Sequence, residues 1–222
     1  LFIFFLSREV ASVFHVSDIR YLCKVTHTIF KPIPEKTMRI IEEPLPGLLL
    51  IEPRVFRDAR GYFFESFSQK ALEQLGIRVP FVQDNQSLSQ KGVLRGLHFQ
   101  AAPAAQDKLV RVISGAVLDV AVDVRKGSPT YGQHFAVELS GSNFLMLFIP
   151  KGFAHGFQTL EDQTVFSYKC SDYYHPETEG GLRWDDPHVG IPWRGEEALV
   201  SDKDQKLPLW DQFQSPFTYG QI

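Results

Sequence analysis

From Met38 onwards the chain is divided into short apolar runs, and glycine, proline, asparagine or aspartate separates nearly every pair of neighbouring runs. Runs of this length, with turn residues at this spacing, predict an all-β sandwich or barrel. Beyond Asp172 the sequence is richer in proline, glycine and tryptophan, and we expect it to wrap the strands as loops and short helices. The predicted strands are Leu48–Phe56, Tyr62–Phe67, Phe81–Ser87, Val93–Gln100, Leu109–Ser114, Val117–Val124, Gln133–Leu139, Leu145–Ile149, Gly156–Thr159 and Thr164–Lys169.

One segment, Ser68–Leu75, has the features of an α-helix. Ser68 can act as the N-cap, because its side-chain oxygen can accept a hydrogen bond from the first turn. Phe67 and Leu72 have the spacing of a hydrophobic staple, and Gly76 suits the end of a helix. We therefore predict a single clear helix between two of the strands.

The composition of the 222-residue chain limits the classes of function. A hydrophobic content of 44% is that of a soluble globular protein with ample material for a core. The net charge of −3 gives no basis for broad binding to nucleic acid. Cys23 and Cys170 provide neither a disulfide framework nor the spacing of a metal site, which fits a reducing compartment.

Residues 1–37 differ from the rest of the chain. Leu1–Leu6 is apolar but only six residues long, whereas a membrane span needs about 20 apolar residues and a secretory signal about 7–15 after a charged lead. The first methionine is Met38. We expect residues 1–37 to be an N-terminal extension outside the catalytic domain, with an organelle-targeting segment as the alternative, and residues 38–222 to form that domain.

Two glycine-flanked histidines lie on short predicted strands. His98 belongs to the run Gly92–Gln100, and His155 closes a Pro-x-Gly-x-x-His arrangement. Side chains alternate between the two faces of a strand, so Arg95 faces away from His98 unless a kink at Gly96 re-aims one of them. The two histidines together suggest a lined cavity in a barrel, whereas either one alone is explained as an ordinary core histidine.

Two kinds of chemistry fit these residues. A metal site in such a barrel usually has a His-x-His pair with a carboxylate, but here the pattern is His98-x-Gln100, a poor set for zinc, iron or manganese unless distant residues complete it. Metal-free acid–base chemistry needs a base, an acid and a cation for developing negative charge. His98 can be the base and Tyr168 the acid, with Arg95 and Lys108 as cations. Tyr168 can also be explained by strand packing, and Lys108 as an ordinary solvated lysine.

A set of longer motifs resembles the dTDP-4-dehydrorhamnose 3,5-epimerase family in order and spacing. The resemblance runs from about Met38 to about Trp210 and does not include residues 1–37. The motifs that carry it are Phe81–Asn85, Val93–Gln100, Lys108–Arg111, Asp119–Lys126, Ser128–Gly132, Ile149–Phe157 and Tyr168–Tyr174.

The resemblance implies a jelly-roll (cupin-like) β-barrel with a few short helices, a homodimer, and no cofactor or metal. The substrate of the family is dTDP-4-dehydro-6-deoxy-D-glucose, in which the hydrogens at C3 and C5 are both alpha to a ketone at C4. Removing either hydrogen gives an enolate, and reprotonation on the other face inverts the carbon. The implied product is dTDP-4-dehydro-L-rhamnose, in the biosynthesis of dTDP-L-rhamnose.

The resemblance also implies the catalytic residues. His98 matches the general base, and Asp204 matches the carboxylate that orients its ring, with Asp119 as a second candidate for that partner. Tyr168 matches the acid on the opposite face of the sugar. Lys108 matches the cation beside the keto oxygen.

A further group of residues matches substrate contacts. Arg60 and Glu65 match residues that one subunit of the dimer contributes to the site of the other. Arg95 and Lys203 can bind the pyrophosphate through charge-assisted hydrogen bonds. Tyr173 matches an aromatic residue for which we expect stacking near the base. The complete group is Arg60, Glu65, Gln83, Asn85, Arg95, His155, Tyr173, Glu179 and Lys203.

Three alternatives remain open at this point. An enzyme that inverts only C3 or only C5 would have nearly the same motifs, because the same base and acid serve either carbon. A non-catalytic sugar-binding barrel has no need of both His98 and Tyr168, and a metal-dependent barrel oxidase would be revealed by metal analysis. We expect a cytoplasmic enzyme without a nucleic-acid or membrane partner.

Overall fold

The computed structural model describes residues 37–195 and 197–221. The expected N-terminal extension therefore lies outside the described residues except for its last position. No helix in the described part of the chain is long and apolar enough to cross a membrane. The elements are β1 (Met38–Leu45), β2 (Leu48–Pro53), β3 (Phe56–Asp58), β4 (Gly61–Phe63), α1 (Gln69–Gln74), β5 (Gln83–Ser89), β6 (Val93–Gln100), β7 (Lys108–Ser114), β8 (Ala116–Asp123), β9 (Arg125–Lys126), β10 (His134–Ser140), β11 (Met146–Ile149), β12 (Phe153–Thr159), β13 (Thr164–Cys170), β14 (Glu179–Gly181), β15 (Leu199–Val200), β16 (Phe217–Thr218) and the 3-10 helices Pro176–Thr178 and Asp204–Lys206.

Two six-stranded sheets contain most of these strands. Sheet 1 has the order β1-β2-β11-β7-β13-β5, and sheet 2 has the order β10-β8-β12-β6-β14, with β15 added beside β6. Neighbours along each order are antiparallel, whereas β15 runs parallel to β6. Strands of both sheets contribute to one apolar interior, which is the arrangement of a two-sheet barrel. The predicted all-β class is confirmed.

The interior between the sheets is filled by one row of side chains from each strand. Val110 and Val112 of β7 and Phe166 of β13 belong to the same buried cluster. Because side chains alternate along a strand, the residues two positions before Val110 and two after Phe166 lie on the same inward rows. These residues are Lys108 and Tyr168, so polar side chains continue the apolar rows at one end of the barrel.

Segments outside the sheets cover their outer faces. Helix α1 packs Leu72 into a cluster with Met146 of sheet 1. The C-terminal third packs Leu182 and Trp210 into a cluster with Val120 of sheet 2. This covering by loops and short helical turns confirms the expectation for the chain beyond Asp172.

The predicted helix forms with the predicted capping residues. The Ala71 backbone N–H donates to the Ser68 side-chain oxygen over 3.3 Å. Phe67 and Leu72 lie in one apolar cluster, as a hydrophobic staple requires. Gly76 follows the helix with φ of +90°, a conformation in which glycine is favoured.

Most strand boundaries differ from the prediction by one or two residues, and three differ by more. Pro53 ends β2, so the predicted strand Leu48–Phe56 is divided and β3 starts a separate hairpin. The predicted strand Tyr62–Phe67 is reduced to β4, because in the described residues β4 pairs only with β3. Strand β12 begins earlier than predicted, at Phe153, which places His155 inside the strand.

Candidate active site

A cavity of about 500 Å³ lies between the two sheets. This volume is in the range of small-molecule sites. A second cavity of about 260 Å³ shares Asn85, His98, Lys108 and Tyr168 with the first, so the two are contiguous. The predicted site residues that line one or both cavities are Gln83, Asn85, Arg95, His98, Lys108, His155, Tyr168, Glu179 and Asp204.

Strand β6 carries a bulge that brings two of these side chains to the same face. His98 pairs with His155 and Arg95 pairs with Phe157, so an interval of three residues on β6 opposes two on β12. One extra residue reverses the alternation, which is why both Arg95 and His98 line the cavity. Simple alternation, which would place Arg95 and His98 on opposite faces, therefore fails here, and the exception that the sequence left open, a kink at Gly96, applies.

The bulge requires a glycine at its centre. Gly96 has φ of +135°, and a Cβ added there would lie 2.5 Å from the Gly156 Cα. No other residue fits between β6 and β12 at this point. The placement of Arg95 and His98 in one cavity therefore depends on glycine at position 96.

His98 is held by a buried carboxylate from a distant part of the chain. Its Nε2 lies 2.8 Å from the Asp204 Oδ1, and the other carboxylate oxygen accepts the Gly96 backbone N–H over 3.1 Å. Burial raises the pKa of Asp204, but the hydrogen bond and charge of His98 and the Gly96 N–H outweigh it, so the pKa lies below its ordinary value. Asp204 is therefore ionised at neutral pH and fixes the His98 ring.

A second histidine–carboxylate pair lies beside the first. The His155 Nε2 is 3.1 and 3.0 Å from the two carboxylate oxygens of Asp119, and both side chains are buried. Asp119 was the second candidate partner for His98, and this assignment is wrong. The β8–β12 register places Asp119 opposite Phe157 and within reach of His155, whereas the segment after β15 delivers Asp204 to His98.

Lys108 is a partly buried lysine at the junction of the two cavities. Within the described residues it has no hydrogen bond or ion pair to a carboxylate, and its nearest charged groups act only at a distance. Burial lowers the pKa of Lys108, because an ammonium without a close anionic partner is costly to desolvate. The group is therefore placed to interact with an anionic oxygen in the cavity.

Tyr168 lies on the opposite sheet from His98. Burial is the main cause that raises the pKa of the Tyr168 hydroxyl, followed by the neighbouring Cys170. A hydroxyl with a raised pKa stays protonated and can donate a proton into the cavity. Strands β6 and β13 thus present an imidazole and a phenolic hydroxyl to one cavity from facing sheets.

A polar cluster surrounds the second cavity. The Tyr174 hydroxyl donates to Glu179 over 2.7 Å, and the Lys203 ammonium lies 2.6 Å from the same carboxylate oxygen. Burial raises the pKa of Glu179, but these two hydrogen bonds bring it below the ordinary value. Gln83 accepts the Tyr174 backbone N–H over 3.1 Å and donates to Asn85 over the same distance.

The chain matches one family over most of its described length. A sequence profile of the dTDP-4-dehydrorhamnose 3,5-epimerases matches residues 42–212. The dTDP-4-dehydrorhamnose 3,5-epimerase of Salmonella typhimurium is 51% identical over 177 residues, which cover 79% of this chain and 97% of that protein. The chain belongs to the dTDP-4-dehydrorhamnose 3,5-epimerase family. The resemblance seen in the motifs is confirmed.

Solved structures of dTDP-sugar epimerases share this fold. The dTDP-6-deoxy-D-glucose-3,5-epimerase of Legionella pneumophila, solved with dTDP-4-keto-L-rhamnose, has a TM-score of 0.77 and 51% identity, covering 80% of this chain and 95% of that chain. A 3′-monoepimerase from Streptomyces bikiniensis, solved with dTDP-quinovose, has a TM-score of 0.73 and 33% identity, covering 77% and 87%. The jelly-roll expected from the resemblance is confirmed.

Four of the residues matched to epimerase substrate contacts do not line these cavities. Lys203 lies beside the second cavity, where its ammonium binds Glu179. Arg60 is exposed on the β3–β4 hairpin, where its guanidinium binds Asp58, and Glu65 follows the same hairpin.

Tyr173 lines neither cavity; 60% of it is exposed, compared with 52% of Tyr174. The structure places Tyr174 at the cavity instead. Strand β13 has ended by this point, so alternation did not distinguish the two tyrosines.

The cavities also contain residues that the sequence did not single out for the site. Cys170 lines the second cavity, where its sulfur lies 3.7 Å from the Asn85 side-chain nitrogen. It pairs with Lys108 across the β7–β13 ladder, and its place on the inward row of β13 was the available signal. Among the described residues no group of three or more histidine, cysteine, aspartate or glutamate side chains is arranged to hold a metal ion.

Proposed function

We propose that this chain inverts C3 and C5 of dTDP-4-dehydro-6-deoxy-D-glucose to give dTDP-4-dehydro-L-rhamnose. One observation carries the proposal: a histidine–aspartate pair and a tyrosine enter one cavity from facing sheets, with a partly buried lysine beside them. Inversion needs a proton removed from one face of the sugar and returned to the other. A binding module has no use for this arrangement.

Proton removal is assigned to His98. Its Nε2–H donates to Asp204, so the lone pair of the neutral ring is on Nδ1. When the C–H bond alpha to the ketone breaks, the proton goes to His98 and the electron pair moves to the C4 oxygen. The ionised Asp204 stabilises the imidazolium that forms.

Lys108 and Tyr168 complete the reaction. The Lys108 ammonium donates a hydrogen bond to the C4 oxygen as negative charge develops there, which stabilises the enolate. The enolate carbon then takes the hydroxyl proton of Tyr168 on the opposite face, and the C4 ketone forms again. Solvent returns a proton to the Tyr168 phenolate and takes one from His98, and the same groups then act on the second carbon.

Incorporation of deuterium from D₂O tests the proposed reaction. Each inverted carbon takes its new hydrogen from Tyr168, which exchanges with solvent, so we expect label at both C3 and C5 by NMR. Label at one carbon only would indicate the single-position epimerase that remains the alternative. An absence of label would indicate a barrel that binds the sugar without turning it over.

We assign the nucleotide to the polar cluster around the second cavity. The positive charges for the pyrophosphate come from Lys203, which belongs to this cluster, and from Arg95, which lines the contiguous first cavity. The aromatic contact with the base belongs to Tyr174, because Tyr173 lines neither cavity. Binding of dTDP to Tyr174→Ala and Tyr173→Ala tests this choice, and we expect only the first change to weaken binding.

A homodimer is part of the proposal. The β3–β4 hairpin exposes Phe63 and Tyr62 at 68% and 54%, and it carries Arg60 away from its own cavities. Such an apolar hairpin is suited to a second copy, whose cavity would then receive Arg60 and Glu65. Mixing inactive Arg60→Ala and His98→Ala chains tests this exchange, because each mixed dimer contains one intact site and the equilibrated mixture regains about one quarter of the activity. No recovery, or a monomer in solution, would contradict it.

Two expectations from the sequence remain predictions. We propose that residues 38–222 form the catalytic domain, which the family match to residues 42–212 supports; a chain starting at Met38 should retain kcat. We also propose a cytoplasmic location, which the free thiol of Cys170 supports. Cell fractionation with activity measurement checks the location.

A further inference from the structure

Gln100 is the last residue of β6, two positions after the proposed base, and only 5% of it is exposed. Its side-chain nitrogen donates to the carbonyl oxygens of Ala104 and Tyr173 over 2.9 and 3.0 Å. Its side-chain oxygen accepts the His175 backbone N–H over 2.6 Å. Both N–H groups and the oxygen of the amide are therefore used, and all three partners are backbone groups of loops.

Two of the three partners flank Tyr174, the residue proposed to contact the base. Tyr173 and His175 are the neighbours of Tyr174, so the Gln100 amide holds the backbone on both sides of that residue. Gln100 also lies opposite Glu179 in the β6–β14 register, and Glu179 accepts the Tyr174 hydroxyl. The same strand thus sets the main chain and the hydroxyl end of the Tyr174 ring.

We propose that Gln100 is a positioning residue for nucleotide recognition, which holds the loop 172–175 so that the Tyr174 ring forms a wall for the base. The inference rests on the proposed contact between Tyr174 and the base. Gln100 also lines the second cavity, but its side-chain nitrogen and oxygen are all bound to backbone atoms of the two loops, so we infer that it acts on the ligand through Tyr174. Neither the epimerase motifs nor the acid–base mechanism requires this role.

Only an amide satisfies the three partners. Two carbonyl oxygens need donors and one N–H needs an acceptor, and a glutamine side chain provides this combination. The substitution Gln100→Glu keeps the shape but directs a carboxylate oxygen at the carbonyl oxygens of Ala104 and Tyr173. A buried acceptor without a donor is unfavourable, so the loop 172–175 must move away from β6.

A nearby glutamine provides a milder change on the same loop. Gln106 donates to the Asp172 and Tyr173 carbonyl oxygens over 2.7 and 3.2 Å, and it is only partly buried. Gln106→Glu should therefore disturb the loop less than Gln100→Glu and with less risk to folding. Gln74 is exposed on helix α1, so Gln74→Glu is the matched control for the change in charge.

Titration with dTDP in a double-mutant cycle tests the inference. We expect Gln100→Glu to raise the Kd for dTDP by roughly 10- to 100-fold, Gln106→Glu by less, and Gln74→Glu not at all. In the Tyr174→Ala background, Gln100→Glu should cause little further loss, because the residue acts through the tyrosine. In steady-state kinetics KM should rise more than kcat falls.

The outcomes separate the inference from the function on which it rests. Normal dTDP affinity in Gln100→Glu, or equal losses with and without Tyr174, would overturn the positioning role. If Gln100→Glu does not fold, the same cycle with Gln100→Met decides, because methionine removes the three hydrogen bonds without adding a charge. Normal dTDP affinity in Tyr174→Ala would instead overturn the proposed base contact, whatever Gln100 does.

Discussion

Two buried carboxylates in this barrel differ in the partner that neutralises them. Asp123, at the end of β8, binds the Arg125 guanidinium over 2.9 and 2.7 Å and the hydroxyls of Ser128 and Thr130 over 2.6 and 2.7 Å. Asp204 binds His98 and one backbone N–H. In both, burial raises the pKa and the hydrogen bonds outweigh it, leaving the pKa below its ordinary value.

The comparison separates a structural carboxylate from a functional one. Arginine stays charged at every pH that a folded protein meets, so the Asp123 pair cannot exchange a proton. The Arg125 guanidinium also binds the Pro46 carbonyl oxygen over 3.0 Å and lies over the rings of Phe153 and Tyr219, tying separate segments together. An imidazole can accept and release a proton during a reaction, and His98 borders a cavity, so its pair can do chemistry.

The largest expected effect is on the functional pair. His98→Ala removes the base, and we predict a loss of turnover at both carbons of at least about 10²–10⁴-fold. Binding of dTDP should persist, because His98 contacts the sugar. Rates with the sugar substrate and titration with dTDP check this, with His188→Ala as a control at an exposed histidine. Normal turnover in His98→Ala would show that the base is elsewhere.

The structural pair should show the opposite behaviour. Asp123→Asn leaves the Arg125 charge buried without a counter-charge, and we predict a loss of about 3–5 kcal/mol in the free energy of unfolding. The kcat of the folded fraction should stay near that of the unchanged chain. Urea unfolding measures the first quantity, with Asp185→Asn at an exposed ion pair as the control. A stable but inactive Asp123→Asn protein would contradict the structural role of Asp123.

The cation in the cavity should affect rate more than binding. Lys108→Ala removes one donor to the enolate oxygen, and we predict a fall in kcat of roughly 10²–10³-fold. Steady-state kinetics with the sugar substrate measures the effect. A change confined to KM would mean that Lys108 binds the ground state and has no special role in the enolate.

A shift in the pH profile is the smallest expected effect. Lys108 must be protonated to act, and burial lowers its pKa, so activity should fall as pH rises through a value below that of an ordinary lysine. The Tyr168 pKa is raised, so the tyrosine stays protonated in this range. In Lys108→Arg the guanidinium keeps its charge, and any remaining activity should persist to higher pH. An alkaline limb at the same pH in both proteins would assign it to another group.

Local pattern predicted part of this site and not the rest. Strand alternation places Lys108 and Tyr168 on inward rows, because that information is contained in a few neighbouring residues. The pairing of His98 with Asp204 joins residues 106 positions apart, and no local pattern specifies it. The same limit explains why Asp119 was wrongly considered as a partner of His98, since its partner depends on the register between β8 and β12.

The central claim is that base and acid act from opposite faces of the sugar. It is tested most directly by Tyr168→Phe in D₂O, with NMR of the recovered substrate. His98 should still remove a proton and return deuterium to the same face, so we predict label in substrate of unchanged configuration, with little inverted product. Loss of deuterium exchange together with loss of inversion would contradict the claim that His98 removes the proton and Tyr168 returns one on the opposite face.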